Sequence, residues 1–212
     1  AVKRVIPVLL INNRGLWKGV QFRRHKYVGD PQNALRVFSE KRVDELVMLD
    51  IEASLKKSGP DIEFIRRVAN ECYMPFAFGG GIKTVEDVGR VLRSGAEKVV
   101  IGSAAVETPD LIEKSSNVFG RQSIVVSIDY KKGQFGNRRV YIHSGQKRTN
   151  VDPVAMATEM AERGAGELIV TAISNEGLGK GLDLEFLSQI AKNVTIPVIG
   201  GGGVGSIEDI VE

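Results

Sequence analysis

Short runs of apolar, mostly β-branched residues recur along the chain. Each run is too short for a helix and too continuous for a half-exposed strand, which is typical of strands buried in a parallel sheet. The predicted strands are residues 5–11, 46–51, 76–78, 98–101, 123–128, 167–173 and 196–199. Amphipathic stretches with helical spacing lie between them, at residues 31–41, 61–72, 85–94, 110–118, 153–163 and 184–192. This alternation predicts an α/β protein with a parallel sheet.

The chain also repeats itself with a displacement of 122 positions. The segment PFAFGGGIKTVEDV at 75–88 returns as PVIGGGGVGSIEDI at 197–210, and DELV at 44–47 returns as GELI at 166–169. Two related halves predict a (β/α)8 TIM barrel, which usually needs about 250 residues. We therefore expect one barrel domain, residues 1–212, that ends before its last strand and helix. A hairpin is predicted within residues 131–145, after the fifth strand.

Composition narrows the class of protein. The 212 residues are 42% apolar and 26% charged, with a net charge of +3 and no long run of like charges, so neither nucleic acid nor a membrane is an expected partner. The only cysteine, Cys72, excludes a disulfide framework, and His25 and His143 are too far apart in sequence to indicate a metal site. No signal peptide or membrane-spanning run is recognisable, which predicts a cytoplasmic protein. The densest basic stretch, residues 23–26, is expected in a loop.

Glycine-rich segments follow two predicted strands, at residues 79–81 and 200–203, and each precedes a Thr or Ser helix start. Glycine lets backbone N–H groups approach an anion closely, and a helix N terminus adds partial positive charge. One such loop alone would be no more than a tight turn, but its symmetric recurrence favours a ligand with a phosphate at each end. The predicted phosphate-binding residues are Gly80, Gly81, Gly102, Ser103, Glu176, Gly177, Gly202 and Gly203.

Acid–base chemistry at a barrel mouth commonly uses two titratable groups at strand ends. Asp129 ends the fifth strand, whereas its equivalent in the first half, 119 positions earlier, is Leu10. Asp50 ends the second strand, and Lys18 lies in the first βα loop beside Trp17. Asp50 and Lys18 are candidate catalytic residues together with Asp129. A capping role for Asp50 and a solvated position for Lys18 stay open.

Charged residues of alternating sign begin four of the strands at the opposite face. The set consists of Arg4, Glu45, Lys98 and Glu167. From the residues alone, this pattern indicates a ring of salt bridges that stabilises the barrel floor.

Several motifs together resemble the cyclase subunit of imidazole glycerol phosphate synthase, the HisF family, along the whole chain. They are RVIP at 4–7, Lys18-Gly19, Gly-Asp-Pro at 29–31, DELVMLDIEAS at 44–54, FGGGI at 78–82, AAV at 104–106, VSID at 126–129 and RGAGE at 163–167. The resemblance implies a lyase component of a glutamine amidotransferase complex, with no cofactor. Its partner would be a HisH-like glutaminase subunit, in a heterodimer.

In that family, ammonia from the glutaminase enters through the barrel floor and attacks a bis-phosphorylated ribulosyl intermediate of histidine biosynthesis. The products are imidazole glycerol phosphate and aminoimidazole carboxamide ribotide. The resemblance makes Arg4, Glu45, Lys98 and Glu167 an ammonia gate, because they occupy the family's four gate positions. A salt-bridge ring thus becomes an expected ammonia inlet.

The chain departs from the family pattern at the chemistry. The family uses aspartates on strands one and five as general acid and base, but here Leu10 stands in place of the first. Gly102 stands where the family usually has asparagine, and Gly201 where it usually has serine. Since an acid or base is typically worth 10²–10⁴ in rate, normal cyclisation should be severely slowed.

An intact inlet with an incomplete acid–base pair resembles a divergent branch of the family. Members of that branch are thought to supply ammonia for converting an acetamido group to an acetamidino group on bacterial surface sugars, such as those of lipopolysaccharide. Ammonia channelling of this kind is the favoured hypothesis. The alternatives are a working histidine-pathway cyclase with a different acid, a non-catalytic scaffold that activates the glutaminase, and, less favoured, a phosphosugar isomerase.

Overall fold

Buried strands and amphipathic helices alternate along the chain. The computed structural model describes residues 4–211. The strands are β1 (Val8–Asn12), β2 (Gly15–Val20), β3 (Arg23–Gly29), β4 (Leu46–Asp50), β5 (Phe76–Gly79), β6 (Lys98–Ile101), β7 (Ile124–Lys132), β8 (Arg138–Ile142), β9 (Lys147–Arg148), β10 (Glu167–Ala172) and β11 (Val198–Gly201). The helices are α1 (Pro31–Glu40), α2 (Ile62–Glu71), α3 (Val85–Arg93), α4 (Ser103–Glu107), α5 (Asp110–Phe119), α6 (Pro153–Glu162), α7 (Leu184–Asn193) and α8 (Glu208–Val211). The predicted α/β class is confirmed, and the alternation is consistent with a (β/α)8 barrel fold.

The chain forms two compact units, and each is described by itself. The first contains residues 4–18 and 25–100. Its parallel strands β1, β4, β5 and β6 lie in the sheet order β6-β5-β4-β1. Leu46, Val47 and Met48 of β4 are all buried, as expected for a strand covered on both faces.

The second unit contains residues 19–24 and 101–211. Its parallel strands lie in the order β11-β10-β7, and β8 extends β7 by antiparallel pairing. The short strand β9 then pairs with β8. This confirms the predicted hairpin after the fifth sequence-predicted strand, and β7 runs four residues further than the predicted end at Ile128.

The segment between β1 and α1 differs from the sequence-based expectation of a loop. Strand β2 pairs antiparallel with β1 across the two-residue turn Asn13-Arg14, and β3 follows after the turn Gln21-Phe22. All four turn residues have positive φ, which is the conformation of the tight turns that suit hairpins. Lys18 therefore lies in a strand, and so does the basic stretch at residues 23–26. The sequence hid these turns because none of the four residues is glycine.

Helix starts repeat with the same displacement as the sequence. Asp30 and Asp152 cap α1 and α6, in both cases just before a proline, and Asp61 and Asp183 cap α2 and α7. A side-chain oxygen in each case accepts a hydrogen bond from an amide of the first helical turn, which satisfies a donor that the helix leaves unpaired. The duplication therefore includes the local hydrogen bonds that begin each helix.

None of the helices within residues 4–211 has the length and hydropathy needed to cross a membrane.

Candidate active site

Asp129 lies near the carboxyl end of β7, where Thr171 of the parallel strand β10 is its neighbour in register. The Ser127 hydroxyl donates a hydrogen bond to Asp129 Oδ1 at 3.2 Å. Burial raises the pKa of the Asp129 carboxyl from 3.8 to about 6; hydrogen bonds from Ser127 and Thr171 lower it, and the Glu176 charge raises it. A carboxyl with a pKa near 6 can both bind and release a proton at neutral pH, as a general acid or base must.

The corresponding position in the first unit is apolar. Leu10 of β1 lies opposite Leu49 of β4 and opposite Trp17 of β2. Asp129 occupies the same place in the second unit, opposite Thr171 of β10 and Tyr141 of β8. The structure therefore supports the alignment of Leu10 with Asp129. No proton chemistry is possible at the Leu10 side chain.

Asp50 ends β4, next to Ile11 in register. Its Oδ1 accepts hydrogen bonds from the backbone N–H groups of Glu52 and Ala53, both at 3.0 Å. Burial raises the pKa of Asp50 above its ordinary value, although these two hydrogen bonds lower it. Asp50 thus caps the turn after β4. Its role in catalysis stays a prediction.

The first glycine loop follows β5. Gly80 and Gly81 have φ values of +119° and +73°, a region that side chains disfavour. A Cβ atom at Gly80 would lie 2.6 Å from the Asp50 carbonyl oxygen, so glycine is also required by the packing. The Gly81 amide donates no hydrogen bond within residues 4–211 and is available to an anion.

Helix α3 follows this loop with a reciprocal cap. The Thr84 hydroxyl accepts from the Asp87 amide, while the Asp87 carboxylate accepts from the amides of Lys83 and Thr84. In the second unit, the Asp209 carboxylate likewise accepts from the amides of Gly205 and Ser206. The helix starts predicted from the repeat are confirmed. In both places the cap uses amides that follow the glycines, and the amides of Gly81, Gly202 and Gly203 donate no hydrogen bond within residues 4–211.

The second glycine loop has the same features. Gly202 and Gly203 have φ values of +89° and +104° and are buried, and neither amide donates a hydrogen bond within the described part of the chain. The Gly203 carbonyl accepts from the Gly181 amide, which joins this loop to the segment that follows β10.

The segment after β10 contains Glu176 and Gly177. The Glu176 carbonyl accepts from the Gln21 amide at 2.9 Å, and Gly177 has a φ of +72°. A Cβ at Gly177 would lie 2.7 Å from the Gly19 carbonyl oxygen, so this glycine permits close packing. Phosphate binding by both residues stays a prediction.

Ser103 is the first residue of α4, after Gly102. Its hydroxyl oxygen accepts a hydrogen bond from the His143 backbone N–H at 2.9 Å. The His143 ring nitrogen Nε2 lies 3.0 Å from Glu107 Oε1, and its Nδ1 is buried with no hydrogen-bond partner within residues 4–211. Gly102 has a negative φ, and a Cβ there would make only ordinary contacts, so neither backbone nor packing requires glycine.

The charged residues at the opposite strand ends partly come together. Within the first unit, the buried Glu45 carboxylate receives Arg4 at 3.1 Å and Lys98 at 2.8 Å. Glu167 begins β10 in the second unit and is half-buried. The three-residue cluster is present, and the role of the four residues as a gate stays a prediction.

Lys18 is exposed in β2, where its neighbour Trp17 contacts Tyr27 edge-on and donates from Nε1 to the Asn12 carbonyl at 3.0 Å. Within residues 4–211, no three His, Cys, Asp or Glu side chains are grouped as a metal site requires.

Sequence reasoning missed Ser127, Thr171 and Tyr141 as neighbours of Asp129. Ser127 could have been found because it stands two positions before Asp129 and therefore on the same face of the strand. Thr171 also had a signal, since it stands 122 positions after Leu49. Tyr141 depended on the register of the β7–β8 hairpin, which the sequence does not specify.

Comparison with known proteins bears on these features. The sequence profile of the histidine biosynthesis protein family matches residues 4–212. A Pseudomonas aeruginosa protein with the provisional name imidazole glycerol phosphate synthase subunit hisF2 is 45% identical over 210 residues, 99% of this chain and 84% of that protein. The subunit HisF of Natranaerobius thermophilus is 43% identical over 207 residues, 98% of this chain and 82% of that protein. The chain belongs to the HisF family.

HisF family membership confirms the resemblance that the motifs indicate. The HisF relatives are named as subunits of imidazole glycerol phosphate synthase, and the family is that of histidine biosynthesis proteins. The names therefore describe an enzyme component that acts within a complex.

Proposed function

We propose that this HisF-family chain receives ammonia from a HisH-like glutaminase subunit and delivers it to an acceptor other than the histidine-pathway intermediate. The observation that carries the proposal is the pair of equivalent positions at the strand ends, where Asp129 has Leu10 as its counterpart. The acceptor that the resemblance implies is the acetamido group of a bacterial surface sugar, which ammonia would convert to an acetamidino group.

The raised pKa and the hydrogen bonds of Asp129 support a reaction in which a single carboxyl group of the protein transfers protons. Its pKa of about 6 and its two hydroxyl donors, Ser127 and Thr171, allow it to exchange a proton near neutral pH. Attack of ammonia on an amide carbonyl requires a proton to be moved and a carbonyl oxygen to be lost as water. A single carboxyl can assist these steps in turn, whereas the family cyclisation uses separate acid and base groups.

The cluster of Arg4, Glu45 and Lys98 supports an ammonia inlet. Glu45 is 7% exposed and pairs with both Arg4 and Lys98, so its buried carboxylate has a cationic partner, while the Arg4 side chain is 38% exposed. An ion-paired cluster of this kind at the strand starts can open by exchanging one ion-pair partner. We propose that Glu167 completes this gate.

The glycine loops support a phosphorylated ligand. The amides of Gly81, Gly202 and Gly203 donate no hydrogen bond within residues 4–211, and each lies in a loop between a strand end and a helix start. Gly102 with Ser103, and Glu176 with Gly177, are proposed to add further contacts. Such loops bind phosphate through backbone amides.

A genuine cyclase is the second candidate, and Asp50 is the observation that favours it. Asp50 of β4 pairs in register with Ile11 of β1, the residue that follows Leu10. Burial raises the pKa of Asp50 above its ordinary value. In this alternative, Asp50 replaces the missing aspartate, and Lys18 assists from β2. The two backbone hydrogen bonds that Asp50 accepts count against this alternative, because they already occupy one carboxylate oxygen.

The deciding experiment is ammonia-dependent turnover of the bis-phosphorylated ribulosyl substrate by the native protein, by Leu10→Asp and by Leu10→Asn. We expect the native protein and Leu10→Asn to be inactive, and Leu10→Asp to gain turnover, because only aspartate can exchange a proton. Turnover by the native protein that Asp50→Asn abolishes would instead establish the cyclase.

A second measurement separates delivery of ammonia from activation of the partner. Glutamine labelled with ¹⁵N in the amide is supplied to the complex with its glutaminase subunit. Label in the product at a higher level than in free ammonia supports channelling. Stimulated glutamine hydrolysis with all label released to solution would show a scaffold only.

A further inference from the structure

The hairpin that extends the second unit beyond Asp129 has two chemically different faces. Successive residues of a strand point to opposite sides, and residues directly opposite on paired strands share a side. The Asp129 face therefore contains Asp129, Lys131, Arg139, Tyr141 and Arg148. The Phe186 face contains Tyr130, Lys132, Arg138, Val140 and Lys147.

On the Phe186 face, the cation nearest the core is neutralised. Arg138 forms an ion pair with Asp183 at 3.0 Å and lies over the Phe186 ring at 4.1 Å. The Tyr130 hydroxyl donates to the same carboxylate at 2.9 Å. Arg138 therefore stabilises the contact between the start of α7 and the hairpin.

On the Asp129 face, the cations are not neutralised. Lys131, Arg139 and Arg148 form no ion pair within residues 4–211, although Arg139 donates to the Arg138 carbonyl. Lys131 and Arg139 lie directly opposite each other, and their side chains are only half-exposed. Like charges in such cross-strand pairs destabilise a sheet.

The surroundings of Lys131 show the same excess of positive charge. Its ammonium group lies 4.5 Å from the centre of the Tyr141 ring, which holds it on the Asp129 face. Burial, together with the charge of Arg23, lowers the pKa of Lys131. Arg23 begins β3 and belongs to the same unit. The Asp129 face thus has three cations, Lys131, Arg139 and Arg148, and the charge of Arg23 acts on Lys131.

We propose that the Asp129 face of this hairpin, through Lys131, Arg139, Arg148 and Arg23, binds a phosphate or diphosphate group of the ligand whose reacting end lies at Asp129. An anion there relieves the repulsion between the unpaired cations. Guanidinium groups suit the geometry of phosphate oxygens, and hydrogen bonds between two charged groups are the strong ones.

This anion site is separate from the glycine loops, since it consists of side chains on a hairpin. The anion site itself rests on these side chains, while the placing of the ligand's reacting end at Asp129 rests on the proposed function. A small phosphorylated ligand fits better than a nucleic acid, because the cations are few and two of them, Lys131 and Arg139, are half-buried on the same face as Asp129. A polynucleotide needs a longer exposed basic surface.

Inorganic pyrophosphate is a suitable probe, followed by ¹H–¹⁵N NMR titration of the protein at low salt. Amide signals of residues 138–148 report on the hairpin, and those of Gly202 and Gly203 report separately on a glycine loop. We expect saturable shifts in the hairpin. The double variant Lys131→Gln, Arg139→Gln should weaken this binding about tenfold or more, because two charged contacts are lost.

The matched control is the double variant Lys132→Gln, Lys147→Gln, which removes the same charge from the Phe186 face of the same hairpin. It should bind pyrophosphate within about twofold of the native protein, because its lost charges face away from the site. Equal weakening by both variants would show that only net charge matters and would overturn the proposal, as would unchanged hairpin signals in the native protein.

A charge-preserving variant distinguishes loss of charge from loss of the fold. Lys131→Arg keeps the cation on the Asp129 face, and it should retain pyrophosphate binding. If Lys131→Arg loses binding as completely as the double variant Lys131→Gln, Arg139→Gln, while the thermal unfolding of both matches the native protein, the charge-based site is excluded.

Discussion

The two halves of the chain place different side chains at equivalent positions of their paired strands. In the first half, Leu10 has Leu49 and Trp17 as its neighbours across the sheet. In the second, Asp129 has Thr171 and Tyr141 in the same positions. The glycine loops and helix caps are duplicated, whereas the side chains at these strand ends are not. A repeated architecture can therefore keep its glycine loops and helix caps while only one half has a titratable group at this position.

The largest expected effect comes from rebuilding the polar set of the second half in the first. In Leu10→Asp, Leu49→Thr, the new threonine supplies the donor that Thr171 supplies to Asp129. We expect this variant to turn over the bis-phosphorylated ribulosyl substrate faster than Leu10→Asp alone. Adding Asp129→Asn should reduce the rate by about 10²–10⁴, since one acid–base group is removed. Steady-state assays measure both steps, and an undiminished rate in the triple variant would contradict the assignment of Asp129.

The next effect compares two arginines that hold capping aspartates. Arg138 pairs with Asp183 in a half-buried network, whereas Arg14 pairs with Asp61 and Glu63 at the surface. We expect Arg138→Ala to lower the free energy of unfolding by about 2–3 kcal/mol, because it leaves a partly buried carboxylate without its cation. Arg14→Ala should change it little. Urea denaturation of both variants tests the comparison, which fails if the two losses are equal.

A third effect is a dependence of stability on pH, because Asp129 titrates whereas Leu10 does not. The pKa of Asp129 is raised from 3.8 to about 6 on folding, so the folded state binds the proton more tightly. Its favourable contribution is complete below pH 3.8 and is lost as pH rises through about 6. The stability of Asp129→Asn relative to the native protein should therefore rise by about 2 kcal/mol between about pH 4 and about pH 8. Thermal melts of both proteins across this range measure it; a difference that does not vary with pH would mean that Asp129 titrates normally.

The smallest effect compares the two helix caps of the repeat. Thr84→Ala removes the hydroxyl that accepts from the Asp87 amide and should cost about 1 kcal/mol, the usual value of an N-cap. Ser206→Ala should cost less, because its hydrogen bond to the Asp209 amide is longer, 3.4 Å, and α8 is short. The denaturation midpoints of the two variants measure both losses of stability, and equal losses would contradict this order.

Much of the fold could be predicted from the sequence because its signals are local. Apolar runs mark the buried strands, and capping residues before amphipathic stretches mark the helices. The internal repeat was enough to identify the helix starts at Thr84 and Ser206. The meander of β1, β2 and β3 was missed because Asn13, Arg14, Gln21 and Phe22 adopt positive φ without glycine.

The candidate site was predictable only in part. The position of Asp129 and its apolar counterpart followed from aligning the two halves. Its pKa and its neighbours Thr171 and Tyr141 depend on burial and on strand register, which are properties of the folded sheet. The unpaired cations of the Asp129 face could not be predicted either, because the register of β7 and β8 decides which of their residues share a face.

Ser103 connects two parts of the second unit that would otherwise respond separately. Its oxygen accepts from the His143 amide at 2.9 Å, while its own proton is still available to a ligand at the start of α4. If a phosphorylated ligand accepts a hydrogen bond from this hydroxyl, as proposed above, its binding is linked to the contact between α4 and the turn after β8. By thermodynamic reciprocity, whatever stabilises this turn would then raise affinity at Ser103 by the same factor that the ligand stabilises the turn.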